Sequence, residues 1–537
     1  MATIREVVFD QLRAWGMTTV YGNPGSTELS FLRDFPADFR YILGLQEAAV
    51  VGMADAHAQV TARPTLVNLH TAAGLGNAMG AIINAAANKT PLVITAGQQT
   101  RAMITLEALL TNVDATTLPR PAVKWSFEPP RAADVPAALA RARLIADTPP
   151  RGPVFLSLPM DDFDAEVDEQ DEGKARTLAK RTVAATTAGD PQALAALAER
   201  LAAAENPALV CGSEVDADGV WQDAVALAER LQTPVWSAPI EGRVTFPQSH
   251  WLFRGHLPPA IGPLAKALDG HDLVVVLGAP VFRYYPYVPG EYLPAGTALA
   301  HITSDPGEAA RAPVGDAIIA DVGYALQTLL DLIPDPKKPV PAICPPAPGA
   351  VPDDTGVPLE PGAVFAALAA AVPGDARWAH ESPSNTQFFQ DHVKLDRPGS
   401  YYMTAGGGLG FGLAAGVGAQ IADPSRPVVA LMGDGSMQYA ICALWTAAAY
   451  KVPLTIVVLA NAEYAILKWF GAFERADGVP GLDITGLDTA AIAAGYGVRS
   501  HRVTSAAQLA SLLGEAIAAK DGPTLIEVPI KTVFPSM

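Results

Sequence analysis

A short acidic turn and a distant asparagine constrain the fold of this chain most strongly. Gly433-Asp434-Gly435-Ser436 follows an apolar run at 427–432, and Asn461, 27 residues after Asp434, follows a second apolar run at 454–459. Ala-rich residues 441–450 lie between the two runs and are typical of a helix. This order predicts a strand–helix–strand unit, which places the carboxyl ends of two parallel strands side by side.

Polar side chains at that edge of an open parallel sheet commonly bind ligands. Asp434 and Asn461 would offer two hard oxygens to one divalent cation, with a loop carbonyl as a third, and Mg²⁺ held in this way keeps room for phosphate oxygens. Asp, Gly and Asn also favour ordinary turns for local reasons. The paired strands and the spacing favour the metal site over two unrelated turns.

The same pattern resembles the diphosphate motif of thiamine-diphosphate-dependent enzymes, which reads GDG, then a couple of dozen residues, then N. Those enzymes usually have Asn-Asn-Gly at the second position, whereas this chain has Ala460-Asn461-Ala462. The resemblance implies thiamine diphosphate and Mg²⁺ as cofactors, and metal ligands from Asp434, Asn461 and the main-chain oxygen of Glu463. The further cofactor contacts that it implies in this part of the chain are Gly435, Ser436, Tyr464 and Ser384.

Composition and charge exclude several classes of protein. The chain has 537 residues, of which 50% are apolar and 17% charged, so we expect two to four domains with large buried sheets. A net charge of −18 argues against binding to nucleic acid or to an anionic membrane. The three cysteines lie far apart, which favours neither disulfides nor a zinc site. With no signal peptide and no membrane-spanning run of about 20 apolar residues, we expect a cytoplasmic protein.

The chain divides into three segments of domain size. An acidic and polar stretch at 161–189 and a Pro-rich stretch at 334–361 are predicted linkers. They suggest domains at 1–181, 182–340 and 341–537. Short apolar runs alternate with Ala-rich segments in all three, which predicts an α/β protein with three doubly wound parallel sheets. The runs outside the metal motif are residues 65–69, 91–95, 154–158, 208–212, 273–278 and 524–528.

Three residues of the first segment are candidates for chemistry. Ser26 lies in the turn Tyr21-Gly22-Asn23-Pro24-Gly25-Ser26-Thr27-Glu28, which could equally be a helix cap. Glu47 begins an otherwise apolar helix, where it could cap the helix or share a proton. His70 ends the run 65–69; a histidine there is often structural, but the strand end and the Gly-rich turn after it favour function.

These segments together resemble benzoylformate decarboxylases, within the superfamily of pyruvate decarboxylases and acetolactate synthases. The similar strings are YGNPGSTE, LQEAAVVGMADAHA, NLHTAAGLGNAMGA, TAGQQTRAM, EALLTNVDATTLPRPAVKW, GAPVFRY and TAGGGLGFGLAAGVGAQ. The resemblance spans about residues 7 to 530 and implies a pyrimidine-binding, a central and a diphosphate-binding domain. It also implies a homotetramer whose active sites lie between the first domain of one subunit and the third of another.

The resemblance implies roles for individual residues. Glu47 would hydrogen-bond the pyrimidine of the cofactor, the main-chain oxygen of Gly407 would hold its amino group, and Leu409 would support its bent shape. Ser26 would hydrogen-bond a 2-oxo acid substrate, and His70 would donate or relay a proton near it. The products would be CO₂ and an aldehyde.

The chain departs from that family around the expected substrate pocket. Tyr285 stands where a second active-site histidine is expected, and a phenol does not replace an imidazolium near neutral pH. Slower aldehyde release would then favour ligation to a second aldehyde. Ile466 replaces an expected small residue and should narrow the pocket. The remaining pocket candidates are Leu109, Leu110, Met403 and Phe470.

Four functions are compatible with the sequence, and decarboxylation of benzoylformate or a related aryl or branched acid is the leading hypothesis. The alternative is a dedicated carboligase resembling acetolactate synthases, which forms 2-hydroxy ketones. A cofactor-binding relative without catalysis is disfavoured because the candidate residues are retained. A Rossmann-type NAD enzyme is disfavoured because the Gly-rich stretch 406–412 follows no convincing strand.

Overall fold

The computed structural model describes residues 1–334, 356–476 and 478–534. Its strands form three six-stranded sheets in which every strand pair is parallel. The α/β class and the three parallel sheets are therefore as predicted. All the apolar runs named above form strands, because each is an apolar segment that two neighbouring strands and flanking helices can bury.

The first sheet has the strand order β2-β1-β3-β4-β6-β5. Its strands are β1 Thr19–Gly22, β2 Arg40–Leu43, β3 Thr65–Leu69, β4 Leu92–Gln98, β5 Ser126–Phe127 and β6 Val154–Pro159. The helices of this part are α1 Ile4–Ala14, α2 Leu29–Leu32, α3 Glu47–Thr61, α4 Thr71–Ala87, α5 Arg101–Ile104, α6 Val135–Asp147 and α7 Glu169–Ala179.

The central sheet has the strand order β12-β11-β10-β7-β8-β9. Its strands are β7 Pro207–Cys211, β8 Val235–Ser237, β9 Phe253–His256, β10 Leu273–Leu277, β11 Ala298–Thr303 and β12 Asp316–Ile319. Its helices are α8 Pro191–Ala203, α9 Ser213–Ala217, α10 Trp221–Leu231, α11 Ile261–Ala267, α12 Pro306–Arg311 and α13 Val322–Leu332.

The third sheet has the strand order β14-β13-β15-β16-β18-β17. Its strands are β13 Arg377–Glu381, β14 Tyr401–Tyr402, β15 Val428–Gly433, β16 Thr455–Ala460, β17 Arg499–Arg502 and β18 Thr524–Pro529. Its helices are α14 Pro361–Ala371, α15 Thr386–His392, α16 Gly412–Ala422, α17 Asp434–Gln438, α18 Ala443–Ala449, α19 Ala465–Phe473, α20 Thr489–Gly495 and α21 Ala506–Ala518.

The first and third sheets share one strand order. Counted within each sheet, both run 2-1-3-4-6-5, whereas the central sheet runs 6-5-4-1-2-3. In the 2-1-3-4 order all strands stay parallel, but the connection from the first strand leads toward one edge of the sheet and the connection from the third strand leads toward the other. Ligands bind beside this switch point between the first and third strands. The segments after β1 and β3 in the first sheet therefore correspond to the segments after β13 and β15 in the third.

Small residues let the first and third sheets' helices pack closely in one chain. A Cβ added at Gly418 of α16 would lie only 1.9 Å from the main-chain oxygen of Met53 in α3. One added at Gly52 would lie 2.9 Å from the Ala414 side chain. The Gly/Ala-rich stretch thus forms a tightly packed helix after a loop.

The predicted linkers are only partly correct. Residues 169–179 form α7, and this helix is fixed to α1 because Gln11 Nε2 donates to Ala175 O (3.2 Å) and Trp15 Nε1 donates to Ala179 O (2.8 Å). The sequence did not predict this helix, because it is rich in charged residues and buries only Ala175, so it has no apolar face that would show as a helical pattern. Most of the Pro-rich stretch lies outside the described residues, and its last residue, Pro361, begins α14.

The domain boundaries themselves stay predictions, and the one at 340/341 lies outside the described residues. Cys211 and Cys442 are unpaired, while Cys344 also lies outside that part of the chain. Across the described ranges, no helix is both long enough and apolar enough to cross a bilayer.

Candidate active site

Glu47 is the first residue of α3 and is 8% exposed. The helix is capped by its neighbour Gln46, whose side-chain oxygen accepts the N–H groups of Ala48 (2.7 Å) and Ala49 (3.2 Å). Glu47 is therefore not needed as the cap. Its Oε1 accepts Asn23 Nδ2 at 3.0 Å and its Oε2 accepts Asn77 Nδ2 at 3.0 Å.

His70 occupies the N-cap position of α4 but makes no capping hydrogen bond. Its Nδ1 lies 2.9 Å from Glu28 Oε2 and 3.1 Å from Thr27 Oγ1. Gly25 makes room for the ring, since an added Cβ there would lie 2.2 Å from His70 Nδ1. The contact fixes which ring nitrogen faces away from the protein, because Nδ1 is occupied.

Glu28 is a functional candidate that sequence reasoning missed. It is 1% exposed, and its carboxylate accepts the N–H of Gly25 (2.8 Å) and of Gly97 (2.8 Å) in addition to contacting His70. The only sequence signal is a glutamate three residues after a turn glycine, which predicts a local cap. It does not predict a contact with a histidine 42 residues later.

Ser26 begins the short 3₁₀ helix Ser26–Glu28 after β1, and its side chain is exposed. It lies in the same segment as Glu28, so the turn brings the hydroxyl to the edge where His70 also lies. Leu109 is 85% exposed, and Leu110 is half-buried with a φ of 72°. We call Ser26, Glu47, His70, Leu109 and Leu110 the first-domain set.

Asp434 follows β15 directly and is 3% exposed. Its Oδ1 accepts Gly435 N at 2.8 Å and its Oδ2 accepts Ala462 N at 2.8 Å. Burial raises the pKa of the Asp434 carboxyl, while these N–H groups act in the opposite direction. A cation beside this carboxylate would offset the cost of burying its charge.

Asn461 follows β16, the strand beside β15. Its Nδ2 donates to Thr532 Oγ1 (3.3 Å) and its Oδ1 accepts Glu463 N (3.3 Å). The Glu463 carboxylate contacts Lys468 and Thr532, so the side chain is engaged elsewhere. The neighbouring main-chain hydrogen bonds join Ile484 N to Ala462 O and Tyr464 N to Leu482 O, so neither of them uses the Glu463 carbonyl.

These oxygens fit the predicted metal site in chemistry. Within residues 1–334, 356–476 and 478–534, no group of three His, Cys, Asp or Glu side chains is arranged for a metal. The predicted donors are one carboxylate, one amide and one main-chain carbonyl, which are the hard oxygens that Mg²⁺ prefers.

Gly435 and Tyr464 are in close contact in the third domain. A Cβ added at Gly435 would lie 2.6 Å from Tyr464 Cε1, so only glycine lets the ring come this near. Ser436 is buried in α17, and Ser384 lies after β13 in the 3₁₀ helix Pro383–Asn385. Both serines therefore follow the strands that flank the switch point.

The glycine-rich loop, residues 403–411, joins β14 to α16. Gly407 is exposed with a φ of 74°, and no atom lies within 4 Å of the position of an added Cβ. The space beside its Cα is therefore open, and a glycine there lets another group come close to the backbone. Leu409 and Met403 are half-buried, and Met403 Sδ accepts the Tyr401 hydroxyl at 3.4 Å.

Tyr285 of the central part reaches the third domain. Its ring centroid lies 4.9 Å from that of Phe470, and its side chain is 59% exposed. Ile466 and Phe470 are four residues apart in α19 and share one face of that helix, both half-buried. Gly407, Leu409, Asp434, Asn461, Ile466, Phe470 and their neighbours named above form the third-domain set, with Tyr285 beside it.

The two sets belong to different sheets of one chain. Among the described residues, no hydrogen bond, ion pair or ring contact joins the first-domain set to Asp434, Asn461, Ile466 or Tyr285. Each set nevertheless lies at the carboxyl ends of its own sheet.

Three family models of thiamine pyrophosphate enzymes match the chain. They describe the N-terminal TPP binding domain at residues 2–118, the central domain at 194–329 and the C-terminal TPP binding domain at 384–528. These matches, together with the three sheets and the two sets of side chains, define the class of the protein.

Individual relatives narrow that class. The chain is 50% identical over 535 residues to the benzoylformate decarboxylase of Pseudomonas aeruginosa, covering 100% of both chains. The solved thiamine diphosphate-dependent 4-hydroxybenzoylformate decarboxylase of Rhodococcus jostii RHA1 matches with a TM-score of 0.94 at 48% identity, over 99% of this chain and 100% of that one. Benzoylformate decarboxylase from Polynucleobacter necessarius matches with a TM-score of 0.95 at 44% identity, over 100% of both. The chain belongs to the benzoylformate decarboxylase family of thiamine pyrophosphate enzymes.

Proposed function

We propose that this chain catalyses the non-oxidative decarboxylation of a 2-oxo acid, namely benzoylformate or a related aryl or branched acid, to an aldehyde and CO₂. The observation that carries the proposal is that two chemically different sets lie at equivalent edges of two sheets with one strand order. The relatives named benzoylformate decarboxylase and 4-hydroxybenzoylformate decarboxylase support the substrate class.

The donor chemistry of the third domain fits thiamine diphosphate with Mg²⁺. Asp434, Asn461 and the Glu463 carbonyl would hold the cation. Gly435, Ser436, Tyr464 and Ser384 would contact the diphosphate. When bound, thiamine diphosphate supplies the carbon nucleophile and the electron sink that decarboxylation requires.

Three residues would orient the pyrimidine end of the cofactor. Each Glu47 oxygen accepts one amide N–H, which leaves the carboxyl further lone pairs for a ring nitrogen. The main-chain oxygen of Gly407 would accept the amino group. Leu409 would support the bent conformation from the same loop.

Ser26 and His70 would handle the substrate. Ser26 has an exposed hydroxyl that would donate to the substrate carboxylate or carbonyl. Because Glu28 and Thr27 occupy His70 Nδ1, the mobile proton of this histidine would be held and released at Nε2. An imidazole suits this task near neutral pH.

The substrate pocket would combine Ile466, Phe470 and Tyr285 with Leu109, Leu110 and Met403. Ile466 and Phe470 share one face of α19, and the ring of Tyr285 packs against that of Phe470. A branched Ile466 side chain would limit the width of the acid that fits. Aryl acids without bulky ring substituents should therefore be preferred over substituted ones.

The assembly would be a homotetramer with active sites between subunits, in the cytoplasm. The separation of the two sets within one chain supports sites that are completed by a second chain. Large apolar side chains are exposed beside both sets, including Leu106 and Leu109 on one side and Tyr439 and Leu467 on the other. Exposed apolar patches of this kind mark interaction surfaces.

The proposal is tested by removing and restoring the cofactors. We expect protein freed of thiamine diphosphate and Mg²⁺ to release no CO₂ from benzoylformate, and addition of both to restore release with one aldehyde per CO₂. Cofactor binding is checked by calorimetry. If the protein binds both cofactors and still turns over no benzoylformate, the proposal is contradicted.

Carboligation is the second candidate, and Tyr285 favours it. A phenol at this position replaces the expected imidazole and is 59% exposed beside Phe470. Slower release of the aldehyde would allow attack on a second aldehyde. Product analysis decides between the two: hydroxy ketone would exceed free aldehyde in a carboligase, and aldehyde as sole product would exclude one.

A further inference from the structure

The glycine-rich loop that carries Leu409 has little means of holding its own shape. Residues 406, 407, 408, 410 and 412 are all glycine, and Gly407 and Gly410 have φ values of 74° and 102°. Glycines allow many backbone conformations, so a loop of this kind is not fixed by its own sequence. Its backbone polar groups need partners from elsewhere.

Asn84 of α4 binds the loop on the N-terminal side of Leu409. Its Nδ2 donates to Gly408 O at 2.9 Å, and its Oδ1 accepts Gly408 N at 3.2 Å. The side-chain amide thus pairs with both polar groups of one residue. A Cβ at Gly408 would lie 2.8 Å from Asn84 Oδ1, which explains the glycine. One turn later, Asn88 Oδ1 accepts Ala405 N at 2.9 Å.

Glu381 binds the loop on the C-terminal side of Leu409. It is the last residue of β13 and is 4% exposed. Its Oε1 accepts Gly410 N at 2.6 Å, and its Oε2 accepts Gly412 N. A carboxylate is costly to bury, and these two charge-assisted bonds are what offset that cost.

We infer that Glu381 and Asn84 are positioning residues that fix the peptide groups on either side of Leu409 and thereby set where its side chain meets the cofactor. This inference rests on the proposed function for the role of Leu409, but not for the clamp itself. Asn84 lies in α4 of the first domain and Glu381 at the end of β13 in the third domain. Each bonds a residue adjacent to Leu409. Freedom of the loop would let Leu409 move without disturbing the metal site.

The charge state of Glu381 gives the clamp a pH dependence. Burial raises the pKa of Glu381 to about 7, although hydrogen bonds from the N–H groups of Gly412, Gly410 and Phe411 lower it. No charged side chain of the described residues contributes to this shift. The carboxylate accepts both N–H groups, whereas the acid replaces one acceptor with an O–H donor. The fraction of molecules in which the ionised carboxylate accepts both N–H groups therefore falls as the pH drops through about 7.

Neighbouring titratable groups do not remove this dependence. His380 precedes Glu381 on β13, and burial lowers its pKa to about 4, so it stays neutral. Tyr401 on β14 has a pKa raised by burial. On β15, Met432 is the registered partner of Glu381, and Asp434 follows two residues later. Helix α16 carries no titratable side chain.

Hydrogen–deuterium exchange of the cofactor-free full chain tests the clamp directly. We compare wild type with E381Q at each pH, which cancels the pH dependence of intrinsic exchange. At pH 8 we expect the Gly410 and Gly412 amides to exchange about tenfold faster in E381Q, because the amide side chain carries no charge and offers only one acceptor oxygen to the two N–H groups. At pH 6 the difference should shrink to about twofold.

E527Q is the matched control. Glu527 is also a buried third-domain carboxylate, and it accepts Ala490 N at 2.9 Å and Thr489 Oγ1 at 2.7 Å, away from the loop. Its variant should leave exchange at residues 405–412 unchanged within about twofold. Equal loop exchange in E381Q and wild type at pH 8, or the same loosening in E527Q, would overturn the inference.

Asn84 provides an independent variant should E381Q fold poorly. N84A should speed exchange of the Gly408 amide about tenfold and leave Gly410 and Gly412 unchanged. In the cofactor-loaded enzyme, both variants should lower kcat about tenfold with KM changed less than about threefold, and E381Q should remove any fall of kcat below pH 7. Because exchange is read without cofactor, failure of the proposed activity would leave this result interpretable. Unchanged Gly408 exchange in N84A would contradict the clamp.

Discussion

A buried carboxylate contacts His70, the proposed proton donor. Glu28 comes from a segment 42 residues before His70 and holds Nδ1 at 2.9 Å, while it is itself held by two main-chain N–H groups. A carboxylate fixed in this way can hold a histidine in one tautomer and one orientation. We propose that Glu28 acts through His70 as a positioning residue.

Glu28→Gln should lower kcat on the order of 100-fold, because the amide keeps the shape but can turn an N–H group toward His70 Nδ1, which changes the tautomer of the ring. The measurement is steady-state decarboxylation of benzoylformate across pH 5–8. Glu128→Gln is the control, since Glu128 accepts Ser157 Oγ (2.7 Å) in the same domain without contacting His70. A loss of equal size in both variants would mean that Glu28 serves only stability.

Ala462 carries backbone strain at the predicted metal site. It occupies a position where related enzymes usually have glycine, and its φ is 60°. For a residue with a Cβ, this left-handed conformation costs roughly 1–2 kcal/mol. Its N–H nevertheless bonds Asp434 Oδ2, so the strained peptide is held in place.

Ala462→Gly should stabilise the protein by about 0.5 kcal/mol, because relief of strain exceeds the larger entropy of glycine in the unfolded chain. Ala510→Gly, in the interior of α21, should instead cost about 1 kcal/mol. The measurement is urea denaturation followed by circular dichroism. The same sign for both variants would contradict the strain at residue 462.

At the level of helices and strands, sequence reasoning succeeded where local pattern decides structure. The runs 427–432 and 454–459 became β15 and β16 because uninterrupted apolar segments are buried on both faces of a parallel sheet. Helix α7 was missed because its composition is charged and it buries one alanine. The alternation of apolar runs and Ala-rich segments is common to all three parts of the chain, so it did not predict that the first and third sheets share a strand order.

Contacts between distant segments could not be predicted from the sequence. Asn84 meets Gly408 across 324 residues, and Glu381 reaches Gly410 from the end of another strand. Each of these residues looks like an ordinary polar residue in its own helix or strand. The packing of α4 against the third domain brings Asn84 to the loop, and the position of Glu381 at the end of β13 brings its carboxylate there.

The α3–α16 contact should be intolerant of any added side chain at its centre. Gly418→Ala would place a Cβ 1.9 Å from Met53 O, and relieving this overlap requires separating two helix backbones. We expect a loss of about 3 kcal/mol or more, read as a clear fall in the thermal midpoint. Gly514→Ala in α21 has nothing within 4 Å and should be neutral or stabilising. A mild Gly418→Ala phenotype would contradict the close packing.

At the scale of the whole molecule, we propose that the first-domain set and the third-domain set are two halves of a site that one chain does not complete alone. The first-domain set and the third-domain set lie at the edges of different sheets, and the apolar side chains beside them are exposed. A second copy that joins the two halves would bury those side chains and complete the site. This is the arrangement proposed for the homotetramer.

Complementation between inactive variants tests this arrangement. Glu47→Gln and Asp434→Ala should each abolish activity alone. After unfolding, mixing and refolding in equal amounts, random pairing should restore about a quarter of wild-type activity, because half of the pairs are mixed and each holds one intact site. Each variant refolded alone serves as the folding control. If the mixture regains no activity although both variants refold, both halves of a site lie within one chain.

The specificity constant for competing 2-oxo acids tests the proposed function most directly. We would measure kcat/KM for benzoylformate, pyruvate and 2-oxoisovalerate, with and without thiamine diphosphate and Mg²⁺, following CO₂ and aldehyde together. The predicted result is the highest kcat/KM for benzoylformate, matched aldehyde and CO₂, and no turnover without cofactors. A higher value for pyruvate, or CO₂ without matching aldehyde, would contradict the assignment as an aryl 2-oxo acid decarboxylase.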